Sequence, residues 1–138
     1  MSQSMEQTTL YLTELDVTRL ERIAARTGNP HLAEQLDALL ERAAIVEPGA
    51  VPRDVVTMNS RLRCTLEGDP APREWTLVYP DAADFEAGRV SVFSPVGQAL
   101  LGARVNDTVS YRLPDGRAQT VTIQELSWQP EANGEFTV

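Results

Sequence analysis

The sequence predicts an α+β protein, in which a helical first part is followed by strands and one short helix. The first 50 residues hold two amphipathic helical patterns joined by a tight turn. Beyond them, apolar and polar residues alternate in short runs bounded by turn residues. Within this second part, DAADFEAGRVSVFSPVGQALLG (residues 81–102) has the pattern of an acidic loop, a strand and a short helix.

The first helix follows a short predicted strand from Thr9 to Leu12. Either Thr13 or Asp16 caps this helix, and Thr13-x-x-Asp16 has the form of a capping box. An apolar stripe comes next at helical spacing, formed by Val17, Leu20, Ile23 and Ala24. A different face carries Arg19, Arg22 and Arg26. Gly28 is expected to end the helix, because glycine tolerates the left-handed conformation of a C-cap.

The second helix begins directly after this turn, with Asn29 as its cap and Pro30 at its first position. Its apolar residues again recur at helical spacing: Leu32, Leu36, Leu39, Leu40 and Ala43. Two amphipathic helices joined by so short a turn lie antiparallel. We therefore expect residues 1–50 to form a helical hairpin, a short coiled coil. The turn signals around Pro48 and Pro52 mark the boundary with a second domain at residues 51–138.

Six strands are predicted in that second domain, at Val55–Thr57, Leu62–Leu66, Glu74–Tyr79, Arg89–Phe93, Thr108–Leu113 and Ala118–Trp128. Pro114-Asp115-Gly116 is a turn that joins the last two strands in a hairpin, and Asn106 tolerates the positive φ of another turn. Cys64 alternates with Arg61 and Arg63, so it is expected to face the core.

The short helix is predicted from its two ends. Ser94 can accept a hydrogen bond from a free backbone N–H of the first turn, and Pro95 suits the first helical position, where no donor is needed. Val96, Ala99 and Leu100 fall on one face. Gly102 can then end the helix.

Charge and cysteine content reduce the range of functions that the chain could have. The net charge is −8, with four Arg against eight acidic residues up to position 50 and eight Arg against twelve after it. A protein that binds nucleic acid by itself usually has a basic stripe, whereas an acidic chain is suited to a basic protein surface. One cysteine, no apolar run of membrane-spanning length and no signal peptide predict a cytoplasmic protein without membrane contact.

Residues for catalysis or metal binding are scarce. His31 is the single histidine, and the typical motifs for nucleotide binding or serine hydrolysis are missing from the sequence. Asp81 and Asp84 are close in sequence, but a pair in a loop is more typical of turn chemistry than of acid–base catalysis. The sequence predicts no catalytic residue, no cofactor and no metal site, and hence a protein that is not an enzyme.

The same stretches resemble the C-terminal domain of the bacterial Gre transcript-cleavage factors. SPVGQALLG, VNDTV and the turn LPDG occur in the order and spacing of that family. The resemblance implies an FKBP-like fold, with a twisted antiparallel sheet around one short helix, that docks on the rim of the RNA polymerase secondary channel. It also implies a contact loop containing Asp81, Asp84 and Phe85, with Ser94 and Pro95 behind it.

Further segments resemble a short-armed branch of that superfamily, the regulators of nucleoside diphosphate kinase. These segments are VVTMNSRLRC, TLVYP, SPVGQALLG and ELSWQPEANGEF. The resemblance implies a protein that binds polymerase in competition with Gre factors and contacts DNA at most indirectly, through polymerase. It also implies that nucleoside diphosphate kinase levels are controlled indirectly, through transcription.

The arm departs from the Gre pattern, in which a long helical hairpin carries acidic residues at its tip. The predicted helix from Asp16 to Thr27 rises only about 18 Å at 1.5 Å per residue. The turn from Arg26 to His31 contains no carboxylate. We therefore expect no stimulation of transcript cleavage. Two alternatives stay open: a cleavage-stimulating factor that uses Glu34 or another carboxylate, and a nucleotide-responsive regulator that acts directly on nucleoside diphosphate kinase.

Overall fold

A computed structural model of the chain describes residues 10–129, except for the side chain of Pro48. The described helices are α1 (Glu14–Thr27), α2 (Pro30–Arg42) and α3 (Pro95–Leu100). The described strands are β1 (Leu10–Leu12), β2 (Ala43–Ile45), β3 (Arg61–Leu66), β4 (Asp69–Val78), β5 (Arg89–Ser91), β6 (Thr108–Arg112) and β7 (Ala118–Trp128). The predicted mixture of helix and sheet is confirmed. None of the helices in this part of the chain has the length and apolarity needed to span a membrane.

The helical part is closed at its base by two short strands. β1 leads into α1, β2 follows α2, and the two strands pair in parallel, with Leu10 opposite Ala43. Thr13 is the N-cap of α1 and forms the predicted capping box with Asp16. Gly28, at φ 63°, ends α1, and the Asn29 side chain caps α2. We call α1 and α2 together the arm. Thr9, which the sequence assigns to the first strand, lies outside the described residues.

The main sheet has five strands in the order β5-β4-β3-β7-β6. Its pairs are antiparallel except for β4 and β5, which run parallel with Thr76 opposite Arg89. The prediction of a purely antiparallel sheet is therefore wrong at this edge. Residues 79–88 return the chain past the end of β4, so that β5 starts again beside Thr76 and runs in the same direction. This return is the segment that carries the acidic loop.

Several predicted strands differ in the structure: Val55–Thr57 is absent, β4 starts earlier, β5 ends at Ser91 instead of Phe93, and other ends differ by one residue. Val55–Thr57 is not a strand, because Val55 makes one isolated bridge with Arg104 and the chain then turns at Thr57 to Ser60. β4 begins earlier than the sequence predicts, at Asp69. Pro70 and Pro72 are tolerated in this strand because residues 69–73 pair with β3 on one side only, and an edge position needs no second row of donors.

α3 begins as predicted and packs unusually close to the sheet. The Ser94 hydroxyl accepts a hydrogen bond from Gly97 N at 3.1 Å and donates one to Ser91 O at 2.7 Å. A Cβ at Gly97 would lie 1.9 Å from Ser91 O, so only glycine fits at this helix position. Gly102, at φ 87°, follows the helix in the left-handed conformation.

One apolar cluster connects the arm with the sheet. It contains arm residues such as Leu20, Ile23 and Leu36 together with sheet residues such as Leu62 and Leu77. The arm therefore packs against the sheet. Cys64 is fully buried in this cluster, which confirms its predicted orientation, and burial raises the pKa of its thiol to about 11. The division of the chain into two domains at residue 50 stays a prediction.

Candidate functional site

The acidic loop, residues 79–88, is a compact segment held by its own backbone. It contains two short 3-10 turns, Pro80–Ala82 and Phe85–Ala87. Asp84 and Arg89 close its second half by exchanging two backbone hydrogen bonds of 2.9 Å. Gly88, at φ 82°, donates its N–H to Phe85 O at 3.0 Å, while Thr76 N donates to Gly88 O at 2.8 Å. The loop is thus fixed to β4 and presents its side chains from a defined backbone.

Phe85 is the most exposed large apolar side chain in the described part of the chain, at 62%. Its ring lies 5.8 Å from the ring of Trp75, measured between centroids, and Trp75 is buried beneath it. The contact supports one face of Phe85 and leaves most of the ring in solvent. A supported but exposed aromatic ring is a typical anchor in protein–protein interfaces.

The start of α3 lies across from this loop. Ser94 uses its hydroxyl to cap the helix and to bond to Ser91 O, so its role at this position is structural. Pro95 is exposed at the first helical position, while Val96 beside it is buried. Gly97 lets the helix start approach the backbone of β5, which brings Pro95 towards the acidic loop.

A groove of about 510 Å³ joins these elements. Its lining is predominantly apolar and consists of Ala83, Asp84, Phe85, Arg89, Val90, Ser91, Ser94, Pro95, Val96, Tyr111, Leu113 and Pro114. Four of the five residues singled out from the sequence are among them: Asp84, Phe85, Ser94 and Pro95. We call this surface the docking groove. Asp84 is the one carboxylate in this lining, which contains no histidine or cysteine, so the groove offers few ligands to a metal ion.

The third wall of the groove was missed from the sequence. It comes from Tyr111 near the end of β6, from Leu113 directly after that strand, and from Pro114 in the hairpin turn. Tyr111 and Leu113 are two positions apart, so the period-2 alternation of a strand would have indicated a shared face. The sequence could not show that this face meets Phe85. Burial raises the pKa of the Tyr111 hydroxyl, in agreement with the packing of this side chain against the apolar cluster.

The charges around the groove are locally paired. Asp84 and Arg89 lie 3.5 Å apart between carboxylate and guanidinium, with about half of each side chain exposed. Arg89 Nε also donates to Ala82 O at 2.9 Å, which fixes the guanidinium over the loop. Exposed pairs of this kind contribute little to stability. The groove is therefore an apolar surface with a polar rim, as is usual at the centre and edge of an interface.

Asp81 lies apart from the other four predicted residues. Its carboxylate is 3.5 Å from the Arg26 guanidinium of α1. It lines a separate cavity of about 320 Å³ with Arg19, Arg22, Ile23, Arg26 and Tyr79. Asp81 and Asp84 are close in sequence, but they face different arginines on different surfaces, so the structure does not form them into a carboxylate pair.

The tip of the arm is exposed and lacks carboxylates. Thr27, Gly28, Asn29 and His31 are all exposed, and Glu34 is on the next turn of α2. Among residues 10–129, no group of three or more histidine, cysteine, aspartate or glutamate side chains is arranged to hold a metal ion. The turn residues at the tip thus offer no carboxylate ligand to a metal ion.

Comparison with known proteins identifies the family. The family description "Transcription elongation factor, GreA/GreB, C-term" matches residues 51–127, which include the whole docking groove. The chain belongs to the GreA/GreB family. Its helices and curled sheet thus form a GreA/GreB-like fold, as the resemblance implied.

Similar proteins include a regulator of nucleoside diphosphate kinase as well as GreA and GreB factors. The "Regulator of nucleoside diphosphate kinase" of Escherichia coli strain K12 is 40% identical over 96% of this chain and 98% of its own length. GreA of Thermodesulfovibrio yellowstonii is 33% identical, over 59% of this chain and 51% of its own. A solved GreA/GreB structure from Nitrosomonas europaea has a TM-score of 0.67 at 34% identity, with 86% of this chain and 99% of that chain covered. These relatives are named as regulators or transcription factors.

Proposed function

We propose that this GreA/GreB chain binds RNA polymerase at the rim of the secondary channel and competes there with Gre factors. The docking groove is the contact surface in this proposal. The observation that carries it is the shared lining of Asp84, Phe85, Ser94 and Pro95 around one apolar groove, within the segment that matches the family. DNA contact is at most indirect, through polymerase.

The groove has the features of a binding surface. Phe85 is held by Trp75 from below and is exposed above, so its burial by a partner requires little ordering of the side chain. The loop backbone is pre-formed by hydrogen bonds, which lowers the cost of binding further. Asp81 belongs to this proposal only as a neighbour, because its carboxylate faces the arm.

The proposed activity is interference with Gre factors, without transcript cleavage and without catalysis by this chain. α1 contains 14 residues, so at 1.5 Å per residue it is only about 21 Å long. Its tip lacks the carboxylates that magnesium chemistry requires. In the same proposal residues 1–50 act as a short coiled-coil hairpin, and residues 51–138 form an FKBP-like domain. The protein works in the cytoplasm.

The link with nucleoside diphosphate kinase is proposed to be indirect, through transcription. A relative carries that kinase in its name, at 40% identity over nearly the whole chain. In the described residues and in the sequence, we find no typical phosphate-binding motif that supports a direct effect. Direct binding between the two purified proteins would contradict this part of the proposal.

A competition experiment tests the docking. Fluorescently labelled GreB is bound to core RNA polymerase and titrated with this protein, and displacement is read by anisotropy. We expect displacement at low micromolar concentration. Phe85→Ala should weaken displacement about tenfold or more, because buried aromatic anchors are typical hot spots. Adding Asp84→Arg should weaken it further.

The matched control is Ile45→Ala. Ile45 is a large apolar side chain that is also exposed, at 48%, but it lies on β2, outside the groove. Its substitution should leave displacement unchanged. No displacement by the folded parent protein would contradict the proposed function. Equal losses in both variants would contradict the groove as the contact surface.

A second assay tests the absence of cleavage. The protein is added to a backtracked elongation complex, and the release of short RNA is followed on a gel. We expect no release above that of polymerase alone. Release that depends on this protein and disappears with Glu34→Ala would instead support the cleavage-stimulating alternative.

A further inference from the structure

The arm is fastened to the sheet by a buried polar contact. The Tyr79 hydroxyl donates a hydrogen bond of 2.6 Å to Asp16 Oδ1, and both side chains are buried, at 7% and 5% exposure. The other carboxylate oxygen, Asp16 Oδ2, accepts from Thr13 N at 3.1 Å. One carboxylate thus holds the helix cap of α1 and the end of β4 at the same time.

Arg19 strengthens this contact from the arm side. Its guanidinium carbon lies 5.8 Å from the centre of the Tyr79 ring, within the range of a cation–π interaction. Burial and the nearby Asp16 carboxylate raise the pKa of Tyr79 far above its usual value, so the hydroxyl remains a donor. A hydrogen bond to a buried carboxylate is among the stronger kinds in proteins and fixes direction as well as distance.

Two further side-chain hydrogen bonds of the arm are longer and less buried. Arg26 approaches Asp81 at 3.5 Å in solvent, and Gln35 Nε2 donates to Phe93 O at 3.4 Å. Neither has the geometry or the burial to fix the helix direction strongly. The apolar contacts of the arm are non-directional, whereas the hydrogen bond between Asp16 and Tyr79 is short, buried and directional.

Tyr79 also occupies a position between the arm and the docking groove. It directly follows β4 and opens the acidic loop, whose residues Ala83, Asp84 and Phe85 line the groove. The residue that fastens α1 is therefore connected to the groove wall by a short, hydrogen-bonded segment. The same stretch of backbone, residues 79–85, therefore contacts the arm at one end and forms the groove wall at the other.

We propose that Asp16 and Tyr79 are positioning residues that set the angle of the arm relative to the docking groove. Their consequence at polymerase rests on the proposed function: a protein docked by the groove would have its arm direction fixed by this contact. The positioning itself is a property of the protein alone and is measured without polymerase.

Distance measurement by double electron–electron resonance tests the proposal. Spin labels are attached to Glu34→Cys on α2 and Gln124→Cys on β7, two exposed positions. Cys64 is fully buried and remains unlabelled. The parent protein should give one narrow distance distribution. Tyr79→Phe, which removes a single oxygen and keeps the ring, should broaden the distribution or shift its maximum.

Asp16→Asn is the second variant. An asparagine has one side-chain oxygen, so it cannot accept from both Thr13 N and the Tyr79 hydroxyl in the way that Asp16 does. It should change the distribution in the same way, and it decides the matter if Tyr79→Phe does not fold. The matched control is Tyr11→Phe, because the Tyr11 hydroxyl makes no hydrogen bond within the described residues. This control should leave the distribution unchanged.

An unchanged distribution in folded Tyr79→Phe and Asp16→Asn would overturn the proposal, even if their melting temperatures fell. That result would mean that the contact stabilises the fold without orienting the arm. Phe85→Ala should leave the label distance unchanged while it weakens polymerase binding. Failure of polymerase binding and failure of arm positioning are therefore recorded by separate measurements.

Discussion

Two exposed turns of this molecule differ in what they present to solvent. The arm tip and the acidic loop are both short, and both end a helical turn at a glycine in the left-handed conformation, Gly28 and Gly88. The loop is bonded to β4 and holds Phe85 on Trp75. The tip carries polar side chains such as Asn29 and His31 and no large apolar one.

This difference supports the proposal that the chain recognises its partner through the docking groove and not through the arm tip. An apolar ring on a rigid base can be buried by a partner at low entropic cost, whereas small polar side chains on a free tip offer little binding energy. This chain thus combines an exposed apolar groove with an arm tip that has no carboxylate. The following predictions test that contrast, beginning with the largest effect.

Two glycine substitutions, one beside the docking groove and one at the arm tip, should show the largest difference in stability between the two regions. Gly97→Ala would bring a Cβ to 1.9 Å from Ser91 O, and we expect it to lower the free energy of unfolding by roughly 3 kcal/mol through overpacking. In Gly28→Ala the new Cβ has open space around it. The left-handed backbone conformation alone should lower the free energy of unfolding, by about 1 kcal/mol. Urea unfolding monitored by tryptophan fluorescence measures both.

The same two variants should differ in function. Gly97→Ala should also weaken GreB displacement, since α3 forms one wall of the groove. Gly28→Ala should displace GreB as the parent does. Equal stability losses would contradict the close approach of α3 to β5.

High pH should lower the free energy of unfolding through the buried Cys64 thiol. Burial raises the pKa of the Cys64 thiol from its ordinary 9.0 to about 11. The unfolded chain therefore releases this proton first, and the associated stability is fully present below pH 9 and is lost as the pH rises towards 11. The loss should not exceed about 1.4 kcal/mol per pH unit for one group.

Denaturant unfolding at pH 8, 9, 10 and 11 follows this loss. The pKa of Tyr79 is also raised by burial, so its ionisation acts in the same direction at higher pH. Cys64→Ala provides the control, since the decline between pH 9 and 11 should be shallower without the thiol. An identical slope in the variant would contradict the assignment to Cys64.

The exposed ion pair between the regions should have the smallest effect. Arg26 and Asp81 lie 3.5 Å apart, with side-chain exposures of 63% and 58%. A double-mutant cycle of Arg26→Ala and Asp81→Ala should give a coupling below about 0.5 kcal/mol in the free energy of unfolding. The coupling should also fall with added salt. A larger, salt-insensitive value would mean that this pair, too, orients the arm.

Local chemistry determined much of the fold from the sequence alone. The capping box of Thr13 and Asp16, the left-handed Gly28 and the Ser94-Pro95 helix start all depend on residues within a few positions of one another. Such signals are expressed wherever the segment lies in the molecule. The burial of Cys64 followed in the same way from strand alternation.

Tertiary structure decided the parts that depend on distant segments. The parallel pairing of β5, the groove wall from Tyr111 and the separation of Asp81 from Asp84 are set by how strands and helices meet in space. Periodicity shows which face of a segment is apolar, but it carries no information on what that face contacts. The sequence therefore determined the candidate residues, and the packing of α1, β4 and β6 decided which of them share a surface.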